Sequence, residues 1–148
     1  MMILPVSLFA AGGAVLINTW LGIRIGQVRT REKISVGDGG NESLIRRMRA
    51  QANFIEFTPI ILILFVLVEA ACGTCTVLWV IAAVYLLGRV AHAIGMDGVG
   101  KARMVGTLTS MLTGVGLGLF ALYTAFTAHN IVTAPAADEP VVEAVPQG

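Results

Sequence analysis

The sequence has few charged residues: Asp, Glu, Lys and Arg make up 13% of its 148 residues, against about 25% in typical soluble domains. It has only two cysteines, and its net charge is +1. These shortages exclude a small disulfide-stapled protein, a disordered chain and a nucleic-acid-binding protein. A disulfide-stapled protein needs many cysteines, a disordered chain needs many charges, and a nucleic-acid-binding protein needs a strongly basic surface.

The residues that are abundant are apolar. Hydrophobic types make up 56% of the chain, and the mean hydropathy is +0.82. A soluble domain of this length cannot hide so many apolar side chains without covering its own surface with them. The composition therefore predicts an integral membrane protein, with room for one domain.

Four segments are long and apolar enough to cross a bilayer as helices, which takes about 20 residues. They are predicted at about residues 2–28, 42–71, 76–96 and 102–128. Because the connections are short, they predict an all-α four-helix bundle forming one domain over residues 1–130. The remaining tail, residues 131–148, is rich in proline and acidic residues and is predicted to be disordered.

The basic residues predict how the bundle is oriented in the membrane. They cluster between the first two spans, from Arg24 to Arg49, and around the turn between the last two, from Arg89 to Arg103. The turn from Ala70 to Thr76 has none. The positive-inside rule places both basic loops in the cytoplasm and both termini on the outer side. Since the charge follows the first apolar run, we expect this span to be an uncleaved helix.

Polar and ionisable residues recur at helical spacing near the cytoplasmic ends of three spans. They are Arg49, Asn53 and Glu56 on the second span, Arg89 and His92 on the third, and Arg103 and Thr107 on the fourth. Charges inside a span are costly and usually face a polar cavity or one another. The arginines, with Arg29 from the adjoining loop, can bind carboxylates through paired hydrogen bonds, and Glu56 can bind an ammonium group. Glutathione carries this combination of groups.

Several of these residues also have simpler interpretations. Arg46, Arg47 and Arg49 can be topogenic charges that contact anionic lipid headgroups. Glu56 can form an intramembrane ion pair with Arg49 or an arginine of the third span. His92 alone is more often an interior imidazole than a catalyst.

Two further patterns have structural interpretations. Cys72 and Cys75 have the spacing of a redox motif in the outer turn, but no βαβ pattern surrounds them. A zinc site would need two more ligands, and only His129 is nearby, so we predict no metal site and expect either a disulfide or two free thiols. On the fourth span, a small residue at every fourth position from Gly106 to Gly118 permits close helix contact. We favour contact within one subunit over contact between subunits.

Three stretches together resemble one known family. The first is the sequence GQVRTREK, residues 26–33, at the end of the first span. The second is RAQANFIEFTP, residues 49–59, and the third is GRVAH, residues 88–92, followed by Arg103. These motifs resemble the membrane-associated proteins in eicosanoid and glutathione metabolism, the MAPEG family, over about residues 3–127.

The resemblance implies a homotrimer of four-helix subunits that binds glutathione between neighbouring subunits near the cytoplasmic side. Matching by position implies that the following residues bind glutathione: Arg29, Arg49, Asn53, Glu56, Phe57, Arg89 and His92. It implies that Arg103 is the catalytic residue, a fixed cation that favours the thiolate of glutathione. Phe57 departs from the pattern, because several relatives have a tyrosine at that position.

We therefore expect a glutathione transferase that acts on lipophilic electrophiles, or a peroxidase that reduces lipid hydroperoxides with the same thiolate. Glutathione is the expected co-substrate, and the bilayer and further copies of the chain are the expected partners. The alternative is a non-catalytic ligand-binding membrane protein, like the lipoxygenase-activating member of the family. A small transporter is disfavoured because the chain shows no inverted repeat and no broken half-helices.

Overall fold

The computed structural model describes the backbone of residues 3–132 and the side chains as far as residue 128. It contains four helices: α1 (Pro5–Glu32), α2 (Glu42–Cys72), α3 (Thr76–Met96) and α4 (Gly100–Val132). Each includes a segment long and apolar enough to cross a membrane, and residues 3–132 contain no strand. The predicted all-α, four-helix membrane bundle is confirmed.

Two of the helices extend beyond their predicted ends. The first helix was expected to end near residue 28 but continues to Glu32, where Lys33 adopts the left-handed conformation and its N–H bonds Arg29 O. This is a common way for a helix to end. The last helix continues to Val132, so the first two residues of the predicted tail are helical. The rest of that tail lies outside the described residues.

The start of α1 is capped by a side chain from the far end of α2. Pro5 occupies the first turn, and Leu4 offers no side-chain cap. The carboxylate of Glu69 instead accepts hydrogen bonds from Val6 N–H (3.0 Å), Ser7 N–H (2.8 Å) and the Ser7 hydroxyl (2.7 Å). Glu69 is 1% exposed. It satisfies the free N–H groups of the helix start, where an anion is also favoured by the helix dipole.

The start of α2 has its own cap, which defines the end of the connecting loop. The Asn41 side chain accepts a hydrogen bond from Leu44 N–H at 3.0 Å, as a typical N-cap does. Before it, Gly37, Gly39 and Gly40 all adopt positive φ angles. This backbone agrees with the turn that the glycine run predicts.

Close contact between α3 and α4 depends on glycine. A Cβ on Gly106 would lie 2.5 Å from His92 N and Gly88 O, so no larger residue fits without movement. Gly114 faces Ile61 of α2, where an added Cβ would lie 3.7 Å away, whereas one on Gly118 would meet nothing within 4 Å. Most of the small-residue stripe thus serves packing within the subunit.

Candidate functional site

A cleft of about 770 Å³ opens between α2, α3 and α4 next to the loop that connects α1 to α2. We call it the polar cleft. Five of the predicted site residues line it: Arg49, Asn53, Glu56, His92 and Arg103. They come from three helices, so the bundle joins residues that are far apart in sequence. Thr107, one turn after Arg103, also lines the cleft.

The α2 wall of the cleft carries Arg49, Asn53 and Glu56. Their i, i+4, i+7 spacing places them on one face of the helix. Arg49 and Glu56 are exposed, and neither takes part in an ion pair among the described side chains. The structure therefore does not show the pairing of Glu56 with Arg49 or Arg89 that was one alternative. Both side chains line the cleft, and neither has an ion-pair partner among the described residues.

Arg89 lies behind this wall and not in the cleft. It is 2% exposed, and its Nη1 donates to Asn53 Oδ1 and to Ser110 Oγ, both at 3.0 Å. Its guanidinium carbon lies 5.2 Å from the centre of the Phe54 ring, a distance typical of cation–π contact. Within one chain, Arg89 therefore orients the Asn53 amide from behind.

The opposite wall is formed by α3 and α4. His92 is 5% exposed, and its Nδ1 has no hydrogen-bond partner within the described structure. Arg103 is exposed and forms no ion pair with any described residue. Its backbone packs directly against Gly95, and the Thr107 hydroxyl donates to Arg103 O at 2.9 Å. The backbone of Arg103 is thus closely packed, while its side chain lines the cleft and has no ion-pair partner among the described residues.

Besides Arg89, two predicted site residues do not line the cleft of their own chain. Arg29 donates to the carbonyls of Ile34 and Ser35, both at 3.5 Å, and its Nη2 lies 3.7 Å from Met48 Sδ. Phe57 follows Glu56 on α2 and is 37% exposed, but it is absent from the cleft lining.

The structure also adds an acid that sequence analysis missed. Asp38, from the loop before α2, lines the cleft. Its Oδ1 accepts a hydrogen bond from Gly40 N–H at 2.9 Å, a local turn that aspartate commonly forms. The only signal in the sequence is an acid between two glycines, which by itself indicates a turn and not a site.

A second group that sequence analysis missed lies beside the cleft and joins three helices. We call Arg24 of α1, Arg47 of α2 and Asp97 after α3 the ion cluster. Asp97 forms ion pairs with both arginines, and Arg47 Nη1 donates to Arg24 O at 2.8 Å. Arg47 was interpreted as a lipid-facing charge, but the structure shows it bonded within the protein. Arg46 instead pairs with Glu42 one turn earlier.

The outer end of the bundle has a different chemistry. Cys72 and Cys75 are exposed free thiols. No group of three metal-binding side chains occurs among the described residues. A cavity of about 620 Å³ opens beside the two cysteines, and Thr113 is the only hydroxyl side chain in its otherwise apolar lining. The cavity at this end of the bundle is therefore mainly apolar, whereas the cleft at the other end is polar.

The fold and site define a class: a multi-pass membrane protein of four helices, with a polar cleft near one end of the bundle. The sequence matches the MAPEG family over residues 7–123, so the chain belongs to that family. No curated protein matches it. Membership of this family supports the interpretation of the chain as a membrane protein of glutathione or eicosanoid metabolism. The family contains glutathione transferases, leukotriene C4 synthase and a non-enzymatic member.

Proposed function

We propose that this protein is a membrane glutathione S-transferase or peroxidase. One observation carries the proposal: Arg49 and Glu56 on one wall of the cleft and Arg103 on the other form no ion pair with any described side chain. Unpaired charges are costly in a membrane protein and usually mark a functional site. A ligand with charges of both signs would satisfy all three.

Glutathione has the groups that this arrangement requires. The Arg49 guanidinium forms paired hydrogen bonds with a carboxylate, and Glu56 accepts hydrogen bonds from the ammonium group. Asn53, held by Arg89, has both a donor and an acceptor for the peptide part of the ligand. Arg29 and Phe57, which lie outside their own cleft, would contribute from the neighbouring subunit of a homotrimer.

The reaction depends on the thiolate of glutathione. Arg103 stabilises the negatively charged sulfur, so the thiol gives up its proton at lower pH, and the thiolate is the reactive nucleophile. With an electrophile dissolved in the bilayer, the sulfur forms a bond to the electrophilic carbon as the bond to the leaving group breaks, and the leaving group departs as an anion with the electron pair of that bond. With a lipid hydroperoxide, the sulfur attacks the peroxide oxygen and releases the lipid alcohol. A second glutathione then displaces hydroxide from the sulfenic acid, yielding glutathione disulfide and water.

The test measures binding and thiolate formation in the detergent-purified protein. Equilibrium dialysis should show saturable binding of both glutathione and S-methylglutathione. Only glutathione, which keeps its thiol, should develop thiolate absorbance in the ultraviolet. If neither compound binds, the proposed function is wrong.

A second candidate is a non-catalytic ligand-binding protein of the same fold. The observation that favours it is the composition of the cleft lining, in which Thr107 is the only hydroxyl side chain. A lining with a single hydroxyl group offers little hydrogen-bond donation to the reacting sulfur. The same experiment separates the two candidates, because a non-catalytic protein would bind its ligand without producing a thiolate.

A further inference from the structure

The ion cluster ties one carboxylate to two other helices. Arg24 Nη2 donates to Asp97 Oδ2, and Arg24 Nη1 donates to Ala93 O at 3.3 Å. Arg47 Nε lies 3.6 Å from Asp97 Oδ1. Since Arg24 belongs to α1 and Arg47 to α2, Asp97 connects the end of α3 to both. Arg24 is only 8% exposed, whereas the Asp97 side chain is 38% exposed, so the contact is partly buried at the edge of the bundle.

Asp97 lies in the turn that leads from α3 to the helix carrying Arg103. It is the first residue after α3 and begins the three-residue turn that leads into α4 at Gly100. The turn is short and hydrogen-bonded: Gly98 N–H donates to Gly95 O at 3.2 Å. Gly95 also packs against the backbone of Arg103. The end of α3, the turn and the first part of α4 therefore form one tightly packed unit, and Asp97 is its charged attachment to α1 and α2.

The polar cleft lies between this unit and α2. Asn53 and Glu56 belong to the α2 wall, whereas Arg103 belongs to the unit. Deeper in the bundle, the two walls are joined by the hydrogen bond from Arg89 to Asn53. At the loop end they are joined by the ion pair between Arg47 and Asp97.

We propose that Asp97 is a positioning residue: by anchoring the α3–α4 turn to Arg24 and Arg47, it sets the distance between Arg103 and the α2 wall of the cleft. Its effect on chemistry rests on the proposed function, because that distance decides whether Arg103 reaches the sulfur of a ligand held on α2. A distance error of about 1 Å in such a site can cost about 100-fold in rate.

Two variants and one control test the proposal. Asp97→Asn removes the anchoring charge but leaves Arg24 and Arg47 without their acid, which can prevent folding. Arg47→Gln is milder, because it keeps the pair between Arg24 and Asp97 and removes the Arg47 pair with Asp97 and the hydrogen bond to Arg24 O. Glu42→Gln is the matched control: it removes an acid and an ion pair at the same end of α2, but Glu42 forms no ion pair with Arg24 or Arg47 and does not line the polar cleft.

The first measurement is the distance between spin labels on α2 and α4, which needs no ligand. Ile55 and Met104 are suitable sites, because they are 53% and 59% exposed, in a background where Cys72 and Cys75 are replaced by serine. We expect Asp97→Asn and Arg47→Gln to lengthen or broaden the distance, and Glu42→Gln to leave it unchanged. Asp97→Glu, which restores the charge, should recover part of the parent distribution. Unchanged distances in both test variants would overturn the proposal.

The second measurement is the titration of bound glutathione. In Asp97→Asn and Arg47→Gln, we expect the thiol pKa to rise by about one unit, roughly a tenfold loss of thiolate below the midpoint, with glutathione binding largely retained. A purely structural role would lower the unfolding temperature without moving this titration, and that result would overturn the positioning of Arg103. If the unmodified protein binds no glutathione, the proposed function fails, and the distance measurement alone decides the anchoring.

Discussion

Arg49 and Arg103 have the same charge and line the same cleft, but they lie on opposite walls and are assigned different tasks. In the proposed function Arg49 holds a carboxylate both before and during the reaction, so we expect Arg49→Ala mainly to weaken glutathione binding. Removing such a charged partner typically costs about 2–5 kcal/mol. We propose that Arg103 interacts with the sulfur, so Arg103→Ala should keep most of the binding while the bound thiol titrates at higher pH. Equilibrium dialysis and stopped-flow thiolate absorbance measure the two effects.

The lysine variants separate charge from geometry. Lysine at position 103 should restore part of the thiolate, because a point charge stabilises an anion, whereas lysine at position 49 should not replace a planar guanidinium with paired donors. Lys101→Ala is the control, since Lys101 is exposed near the same end of α4 and is absent from the cleft lining. Loss of binding in Arg103→Ala, with an unchanged thiol pKa, would mean that Arg103 holds a second carboxylate. The thiolate mechanism would then be wrong.

At the scale of the helices, the contact between α3 and α4 predicts unequal effects of two similar substitutions. Gly106→Ala would force a methyl group against His92 and Gly88 at 2.5 Å, whereas Gly118→Ala meets nothing within 4 Å. Overpacking of this kind typically costs about 1–3 kcal/mol. We therefore expect Gly106→Ala to lower the unfolding temperature in detergent, and Gly118→Ala to leave it unchanged or raise it slightly, since alanine favours helix. Equal stability of the two variants would contradict the packing described above.

The same contact links stability to function. Because Gly106 lies against His92, and Gly95 lies against Arg103, the glycines let two cleft residues come close to each other from different helices. A side chain at either glycine would separate the helices that form one wall of the cleft.

At the scale of the whole molecule, we predict a homotrimer. Two residues that the family pattern assigns to glutathione, Arg29 and Phe57, do not reach the cleft of their own chain. We therefore expect a neighbouring subunit to supply these two side chains to the cleft. Native mass measurement or crosslinking in mild detergent should show three copies of the chain. Monomers alone, in a preparation that binds glutathione, would rule out a site between subunits.

The orientation in the membrane is a separate prediction, argued from the basic loops. A cysteine at Gly39, in a background with Cys72 and Cys75 replaced by serine, should react only with membrane-permeant reagents in intact cells. The native Cys72 and Cys75 are exposed thiols at the other end of the bundle, so in the unmodified protein they should react from outside. The reverse pattern would place the polar cleft on the outer side and contradict entry of glutathione from the cytoplasm.

The sequence alone determined the features that depend on local pattern. Apolar runs of sufficient length predict four helices because the bilayer sets their length. The spacing of Arg49, Asn53 and Glu56 predicts a common face because an α-helix repeats every 3.6 residues. Basic residues near two further helix ends indicated where these helices would complete the cleft. The shared lining of the cleft by His92 and Arg103 agrees with that expectation.

The tertiary structure alone decided which distant side chains meet. Glu69 caps α1 by accepting a hydrogen bond from Val6, 63 residues earlier, and Arg24 pairs with an acid 73 residues away. No local period relates such positions, because these contacts depend on which helix ends lie side by side and on the depth at which each side chain is placed. The same holds for Arg89, which supports the cleft from behind, and for Asp38, which a loop brings into it. Hydropathy and helical spacing constrain each helix separately, but packing between helices determines which polar groups become partners.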